Sequence, residues 1–331
     1  GGGMDSYRQH YIDGAWVDSV GGTPHQVINP ATEAPCTEIT LASAADLARA
    51  VAAAARAFPD FARTSVADRL ALLERIGAAY KARIADLARA MATEMGAPLS
   101  FAAAAQAPSG LAHFSATRRA LADFAFEEAA GNARVVHEPI GVVAMITPWN
   151  WPLNQIAAKV APALAAGNTM VLKPSEEAPG CAAIFAEILH EAGVRAGVFN
   201  LVQGDGPIAG AALSAHPDVA MVSFTGSTRA GIAVAAAAAP TVKRVHQELG
   251  GKAPNLVLEG ADLAAVLPLT VQGVLANSGQ SCIAPTRILV HRSQADEAAA
   301  VIARLLDGTA VGDPLAEGKH IGPVVNKAQY D

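Results

Sequence analysis

Apolar segments of strand length alternate with helical segments over residues 139–252, and this alternation constrains the fold more than any other feature. The candidate strands are Gly141–Ile146, Thr169–Leu172, Val198–Val202, Met221–Phe224 and Lys243–Gln247. The segments between them are long enough for helices that cross over to a parallel neighbour. The sequence therefore predicts an α/β fold with a parallel, Rossmann-like sheet, in which ligands bind at the carboxyl ends of the strands.

Helices and hairpins are predicted before and beside this region. Ser43 begins a helix to about Phe58, with Asp46 at the position where a capping box usually has Glu. Ser65 begins a second helical stretch that reaches Met95 with a break. Two hairpins are predicted as well, at Tyr11–Val17 around an Asp-Gly turn and at residues 120–138, where the chain leaves the main body.

Charge and composition exclude several classes of protein. The 331 residues carry a net charge of −6 with scattered Lys and Arg, so no nucleic-acid partner is predicted. Three distant cysteines argue against a disulfide framework and for a reducing compartment, here the cytoplasm. No signal segment and no membrane span are predicted. The nine histidines show no metal-binding spacing, so no metal is expected.

Residues that follow three of the strands carry candidate chemistry. Asn150, in the rigid run P-W-N-W-P, either caps the next helix or directs an amide at a developing oxyanion. Lys173 and Glu176 either form a solvated ion pair or hold a ribose. In the second case the carboxylate repels a 2′-phosphate, so NAD is preferred over NADP. Glu248, before two glycines, is either part of a turn or a mobile carboxylate beside a reacting centre.

Two glycine-containing runs follow the other strands. Neither G-D-G-P around Gly206 nor the run Phe224–Gly231 matches the dinucleotide fingerprint. The second is also no Walker A loop, because Ile232 stands at the position of the lysine. It still places backbone amides and a helix N-terminus where a pyrophosphate can bind. A third small-residue run, Gly279–Cys282, carries a lone cysteine, and a lone cysteine is most often a small buried hydrophobe.

Taken together, five motifs resemble the aldehyde dehydrogenase superfamily. They are P-W-N (148–150), K-P-S-E (173–176), F-T-G-S (224–227), E-L-G-G-K (248–252) and G-Q-S-C (279–282), in the order of the family. The separation of 34 residues between Glu248 and Cys282 also fits. The resemblance extends from about Tyr11 to the last residue. It implies the oxidation of a small-molecule aldehyde to a carboxylic acid with NAD, and NADP is less favoured.

The resemblance implies a role for each matching position. Cys282 matches the nucleophile, and Asn150 with the Cys282 N–H matches the oxyanion hole. Glu248 matches the base that activates the deacylating water, and Lys159 matches a helix lysine that helps to relay protons. The positions implied in cofactor binding are Ile146, Thr147, Pro148, Trp149, Lys173, Ser175, Glu176, Gly206, Phe224, Thr225, Gly226, Ser227, Gly231 and Leu249.

The implied reaction forms a thiohemiacetal on the cysteine and then a thioacyl-enzyme, which water hydrolyses. Relatives that pass the acyl group to coenzyme A tend to lack the carboxylate at the position of Glu248, so the resemblance implies the hydrolytic type. An acylating or semialdehyde dehydrogenase is one alternative. A catalytically inactive nucleotide-binding relative is another.

The resemblance also implies the domain organisation. It assigns an NAD-binding domain to residues 4–119 and 139–249, an oligomerisation hairpin to 120–138, and the N-terminal part of the catalytic domain to 250–331. The family's E-x-F-G-P segment does not occur, and Gly1–Gly3 are taken as an assembly remnant. We therefore expect a C-terminally truncated chain of low stability and weak activity. The full-length form is implied to be a homodimer or homotetramer.

Overall fold

The computed structural model describes residues 4–331, in which strands and helices alternate along most of the chain. The strands are β1 (Asp5–Tyr7), β2 (His10–Ile12), β3 (Ala15–Val17), β4 (Thr23–Ile28), β5 (Pro35–Leu41), β6 (Glu127–Ala130), β7 (Ala133–Val136), β8 (Val142–Ile146), β9 (Thr169–Lys173), β10 (Phe199–Leu201), β11 (Met221–Gly226), β12 (Arg244–Leu249), β13 (Pro254–Val257) and β14 (Arg287–Val290). The helices are α1 (Ala44–Ala62), α2 (Val66–Ala82), α3 (Ile84–Met95), α4 (Leu99–Phe101), α5 (Ala107–Asp123), α6 (Pro152–Ala165), α7 (Gly180–Glu191), α8 (Ala211–Ala215), α9 (Thr228–Ala238), α10 (Leu263–Leu275), α11 (Ala295–Asp307) and α12 (Lys327–Tyr330).

The central sheet has seven strands in the order β12-β11-β8-β9-β10-β2-β3. Its first five strands are parallel, and β2 and β3 continue it in antiparallel pairing. From β8 the chain proceeds to β9 and β10 on one side, and then returns to place β11 and β12 on the other. This reversal is the topological switch point at which open α/β sheets bind ligands. The predicted parallel α/β sheet is confirmed, with all five candidate strands present.

Consecutive residues of β8 alternate between two hydrophobic cores. Val143 and Met145 belong to a core with side chains of α2, α5, α6 and α7. Val142, Ala144 and Ile146 belong to a second core with side chains of α1, α8 and α9. The central strands are therefore covered on both faces, which is why their sequences are continuously apolar.

The first helix begins as predicted but ends later. The Ser43 hydroxyl accepts from the Asp46 N–H, and the Asp46 carboxylate accepts from the Ser43 N–H, so the capping box is complete. The predicted end at Phe58 is wrong, because α1 continues through Pro59 to Ala62. This last turn buries Phe61, which is only 3% exposed, against the core. The predicted break in the second stretch lies between α2 and α3.

Both predicted hairpins form. Strands β2 and β3 pair around Asp13 and Gly14, whose φ angles of 54° and 77° are the left-handed values that a two-residue hairpin turn requires. Strands β6 and β7 pair over Glu127–Val136 with every residue exposed. The predicted start of this hairpin at 120 is wrong. Residues 120–123 continue α5, which buries Leu121. Its role in assembly remains a prediction.

Residues 250–331 contain a smaller parallel pair, β13 and β14, packed with α10 and α11. Val257, Leu263, Leu267 and Ala298 are the buried centre of this cluster. The domain boundary at 249 remains a prediction.

Residues 4–331 lack two features that would indicate a membrane or a metal partner. In that part of the chain no helix is both long and apolar enough to cross a bilayer. Nor do three or more His, Cys, Asp or Glu side chains there group as metal ligands.

A buried carboxylate connects β5, α3 and α7. Glu94 is 2% exposed, and its two oxygens accept from the Gly180 N–H at 2.7 Å and from the Thr37 hydroxyl at 3.0 Å. Burial raises the pKa of Glu94 to about 7, although both hydrogen bonds oppose the shift. The folded chain therefore holds a proton that the unfolded chain releases at a lower pH.

We expect this carboxyl group to reduce stability as the pH rises from about 5 to about 8. Between the ordinary pKa of 4.5 and the raised value of about 7, the native state binds more protons than the unfolded state, so the unfolding free energy falls. The shift corresponds to about 3 kcal/mol. Glu94→Gln does not ionise, its oxygen can still accept from the Gly180 N–H, and its amino group can donate to the Thr37 hydroxyl oxygen. Urea unfolding should therefore favour the variant more at the higher pH. A difference between variant and wild type that is independent of pH would contradict this expectation.

Candidate active site

Asn150 lies in the turn between β8 and α6, with its amide held in one orientation. The Asn150 Oδ1 accepts from the Trp151 N–H at 3.0 Å, and the Nδ2 donates to the Gln280 carbonyl at 3.1 Å. Trp151 occupies the N-cap position of α6, and Pro152 the first position of the helix. Asn150 therefore does not cap the helix, and its amino group is directed at the segment that carries Cys282.

Cys282 is half-buried in a turn that begins at Ser281, directly after the Gln280 carbonyl that Asn150 contacts. The Ala284 N–H donates to the Ser281 carbonyl at 3.1 Å, which places Cys282 at the second position of the turn. The Trp151 indole N–H donates to the Ser281 hydroxyl at 2.8 Å. Two neighbouring residues of the β8–α6 turn thus bond to the two residues before Cys282. The structure brings together the predicted nucleophile and the predicted oxyanion donor.

Glu248 lies near the carboxyl end of β12, and its side chain is 65% exposed. A side-chain carbon at Gly251 would lie 3.6 Å from the Cys282 carbonyl oxygen, so the chain after Glu248 passes directly beside the nucleophile. The carboxylate has open access to water and lies three residues from this point of contact. This placement is compatible with a base that activates water next to Cys282.

Lys159, on α6, and Glu248 line the same cavity of about 430 Å³. The Lys159 ammonium donates to the Ser223 hydroxyl of β11 at 2.9 Å. Burial lowers the pKa of Lys159 to about 8, and the charge of Glu248 opposes the shift. His246 completes the titratable lining, with its Nε2 3.7 Å from Glu248 Oε1. A lysine with such a pKa can exchange protons near neutral pH.

Lys173 lies at the end of β9 and is buried, so the solvated ion pair considered from the sequence does not form. Its ammonium donates to the carbonyls of Pro174 at 2.7 Å and Gly204 at 2.9 Å. Glu176 is about one-third exposed, and its Oε2 lies 4.0 Å from Lys173 Nζ. Burial lowers the pKa of Lys173, and the Glu176 charge opposes that shift. Both side chains are adjacent at one strand end, as a ribose contact requires.

Two hydroxyl groups at the switch point are buried without a hydrogen-bond partner within residues 4–331. Thr147 follows β8 and Thr225 lies near the end of β11, and the register pairs their preceding residues, Ile146 and Phe224. Buried hydroxyls normally find partners, so an unpaired couple at a strand end indicates a place for a polar ligand. Such hydroxyls fit the ribose and phosphate oxygens of a dinucleotide.

The remaining predicted cofactor positions surround this edge of the sheet. Ser227 caps α9 by accepting from the Ala230 N–H at 3.2 Å, so the N-terminus of this helix opens beside β11. A side-chain carbon at Gly231 would lie 2.8 Å from a Leu249 methyl carbon, so a larger residue there would displace the Leu249 side chain between α9 and β12. Trp149 packs against the larger core. Gly206 is exposed at the start of the turn after β10, and a side-chain carbon at Gly210, in the same turn, would lie 3.8 Å from Ile146 at the end of β8. The other predicted positions at the carboxyl ends of β8, β9 and β11, or just beyond them, are Ile146, Pro148, Ser175, Phe224 and Gly226.

Three residues of the site have no counterpart among the predicted positions. Gln106 and Asn277 are buried and bond to the Asn150 carbonyl at 3.0 Å and 2.7 Å, and His246 lies beside Glu248. Gln106 is a single amide in the run A-A-A-A-Q-A, and a polar residue in such a run is a usable signal of a specific contact. Asn277 stands in an N-S-G run, whose residue types favour left-handed backbone.

Comparison with known proteins agrees with this arrangement. The model of the aldehyde dehydrogenase family matches residues 16–331. A curated relative, 3-succinoylsemialdehyde-pyridine dehydrogenase from a Pseudomonas species, is 52% identical over 329 residues, which cover 99% of this chain and 69% of the relative. The chain belongs to the aldehyde dehydrogenase family.

Solved structures of aldehyde dehydrogenases share its fold. A variant of aldehyde dehydrogenase C from Pseudomonas syringae, in complex with NAD⁺ and octanal, superposes with a TM-score of 0.96 at 49% identity, covering 98% of this chain and 67% of that one. The NAD⁺ complex of the Bacillus cereus aldehyde dehydrogenase has a TM-score of 0.94 at 33% identity, with coverage of 97% and 67%. The resemblance drawn from the five motifs is therefore confirmed.

Proposed function

We propose that this aldehyde dehydrogenase oxidises an aldehyde to a carboxylic acid with NAD through a covalent intermediate on Cys282. The observation that carries the proposal is the bond from Asn150 Nδ2 to the Gln280 carbonyl, two residues before Cys282. This contact supports a site shared by the Asn150 amide donor and the predicted nucleophile two residues further along the chain. Donors fixed in this way stabilise charge that develops on a carbonyl oxygen.

The first half of the reaction uses Cys282 and Asn150. The Cys282 thiolate adds to the aldehyde carbon, and the resulting oxyanion accepts from the Cys282 N–H and from the Asn150 amino group. Asn150 Nδ2 carries two hydrogens, and the bond to Gln280 uses one of them. A bound nicotinamide supplies the acceptor for the hydride that then leaves this carbon. The sulfur is left as a thioester.

The second half uses Glu248. Its carboxylate accepts a proton from a water molecule that attacks the thioester carbon, the carbon–sulfur bond breaks, and the acid and the Cys282 thiolate are released. Lys159 lines the same cavity, and because its pKa is lowered to about 8, the neutral fraction of its amine can accept the proton and pass it onward. Hydrolysis is therefore favoured over transfer to coenzyme A.

NAD fits the polar groups at the carboxyl edge of the sheet. The unpaired hydroxyls of Thr147 and Thr225 and the open N-terminus of α9 suit its hydroxyl and phosphate oxygens. The carboxylate of Glu176, about one-third exposed and next to buried Lys173, accepts from ribose hydroxyls and repels a 2′-phosphate. The two solved relatives named above are bound to NAD⁺. NAD is thus preferred over NADP.

The test is product analysis of the purified chain with NAD and a panel of aldehydes, in the presence and absence of coenzyme A. The panel includes octanal, which the P. syringae relative binds, and the semialdehyde that gives the Pseudomonas relative its name. We expect one carboxylic acid per NADH without coenzyme A, with one oxygen of the acid taken from labelled water. A strict requirement for coenzyme A would indicate an acylating enzyme. NAD binding without hydride transfer from any aldehyde would indicate an inactive relative.

A further inference from the structure

A buried glutamine lies behind the site, in a distorted turn between α4 and α5. Residues Ala102–Gln106 are π-helical, and the Ala107 N–H donates to the Ala102 carbonyl five residues earlier. Single π-helical turns are rare in proteins, and those that occur often lie at functional sites. Gln106 ends this turn and is fully buried. The π-helical turn therefore lies at the position from which the Gln106 side chain extends into the interior.

The Gln106 amino group bonds to both segments that form the active site. Its Nε2 donates to the Asn150 carbonyl at 3.0 Å and to Asn277 Oδ1 at 2.8 Å. Asn277 Nδ2 donates in turn to the same Asn150 carbonyl at 2.7 Å and to the Gln280 carbonyl at 3.1 Å. One amide thus joins the turn of the oxyanion donor to the turn of the nucleophile.

The segment before Cys282 needs such support because its backbone is strained. Asn277 and Ser278 have φ angles of 55° and 59°, and Gly279 follows at 79°. Left-handed conformations cost free energy for residues other than glycine and persist where surrounding contacts determine them. The hydrogen bonds of the Asn277 side chain are contacts that hold its backbone in the left-handed conformation.

An amide of this length supplies two N–H donors on one atom at the end of the π-helical turn, although its Oε1 is buried without a partner within residues 4–331. Both groups that face Gln106 Nε2 are acceptors, a backbone carbonyl and a side-chain carbonyl oxygen, so two N–H donors are needed on one atom. A carboxylate of the same shape would place acceptors against acceptors. A methionine would fill the space but donate nothing. The Asn150 carbonyl would keep its bond from Asn277 Nδ2, while Asn277 Oδ1 would lose the bond from Gln106 and stay buried without it, which is costly.

We propose that Gln106 is a positioning residue of the oxidation site, which holds the Asn150 peptide and the left-handed turn before Cys282 in one arrangement. Through these two bonds it keeps the Asn150 amino group and the Cys282 sulfur directed at the same reacting carbon. The inference rests on the roles proposed above for Asn150 and Cys282. It concerns the geometry of the site and adds no step to the reaction.

The first test is hydrogen exchange of the whole chain without substrate, followed by mass spectrometry. In Gln106→Met we expect amides of residues 277–284 to exchange at least ~10-fold faster, while those of β8 stay within about twofold of wild type. Gln106→Glu should give the same pattern or a stronger one. Gln26→Met, on the exposed face of β4, is the matched control and should change neither segment.

The second test is kinetic. A small displacement of reacting groups lowers the rate more than it lowers binding. Gln106→Met should therefore reduce kcat about 10- to 100-fold and change the KM for the aldehyde and the KM for NAD by less than about threefold. Adding Asn150→Ala to this variant should cost no more than Asn150→Ala alone, since both changes remove the same oriented donor. Additive losses in the double variant would mean that Gln106 does not act through Asn150.

Exchange that is unchanged over 277–284, or equally faster throughout the chain, would overturn the proposal. The exchange test uses no aldehyde and no NAD. An error in the proposed function would therefore appear as full activity of a Cys282 variant, with the exchange pattern of Gln106→Met still present.

Discussion

Replacing Cys282 with alanine should reduce the steady-state rate of NAD reduction by aldehydes at least ~10⁴-fold, as removal of a covalent nucleophile does in other enzymes. In the proposed reaction the sulfur forms the bond that every later step depends on, and neither of the other cysteines lies in the candidate site. Cys181 is 1% exposed inside α7, and burial raises the pKa of Cys36 to about 11. Neither thiol can replace the Cys282 thiolate. The measurement is the absorbance of NADH under saturating substrate.

Cys36→Ala is the control for this variant. It also removes one half-buried thiol from the chain, but from β5, where the sulfur donates to the Val27 carbonyl at 3.4 Å. We expect its rate to stay within about twofold of wild type. A Cys282→Ala rate within tenfold of wild type would show that the nucleophile lies elsewhere, and alkylation followed by mass spectrometry would locate it.

Glu248→Gln should separate the two halves of the reaction. A glutamine keeps the shape of the side chain but cannot accept the proton of the attacking water, so hydrolysis of the thioester should slow by ~10²- to 10⁴-fold. Formation of the thioester does not need this proton transfer. A rapid burst of about one NADH per site should therefore persist and be followed by a much slower steady state. Rapid-mixing absorbance measurements resolve the two phases.

The control for Glu248→Gln is Glu259→Gln, because Glu259 is also exposed and also lies near a histidine, His291, at 3.7 Å. It lies outside the site, so both phases should keep their wild-type rates. If Glu248→Gln slows the burst as much as the steady state, the carboxylate acts before the thioester forms, and the role proposed here is wrong.

The local rules of the chain were sufficient for most of the fold. Strand positions followed from short apolar runs, and the start of α1 followed from Ser43 and Asp46, since both signals involve residues close in sequence. The errors fell at element ends. Helix α1 runs past Phe58 to bury Phe61, and α5 runs into the predicted hairpin to bury Leu121. In both cases tertiary burial overrode a local stop signal.

The sequence by itself determined which residue types stand at the carboxyl ends of the strands, and hence the family and the residues proposed as nucleophile and base. Strand period and short motifs are local properties, so they can be read without coordinates. Only the tertiary structure decided that Asn150 contacts the segment of Cys282, 130 residues away. It also decided that Gln106 reaches Asn277 across 171 residues, and that burial raises the pKa of Glu94 and lowers that of Lys159. These properties depend on which helices pack together and how much water they exclude, and no local pattern in the chain encodes either.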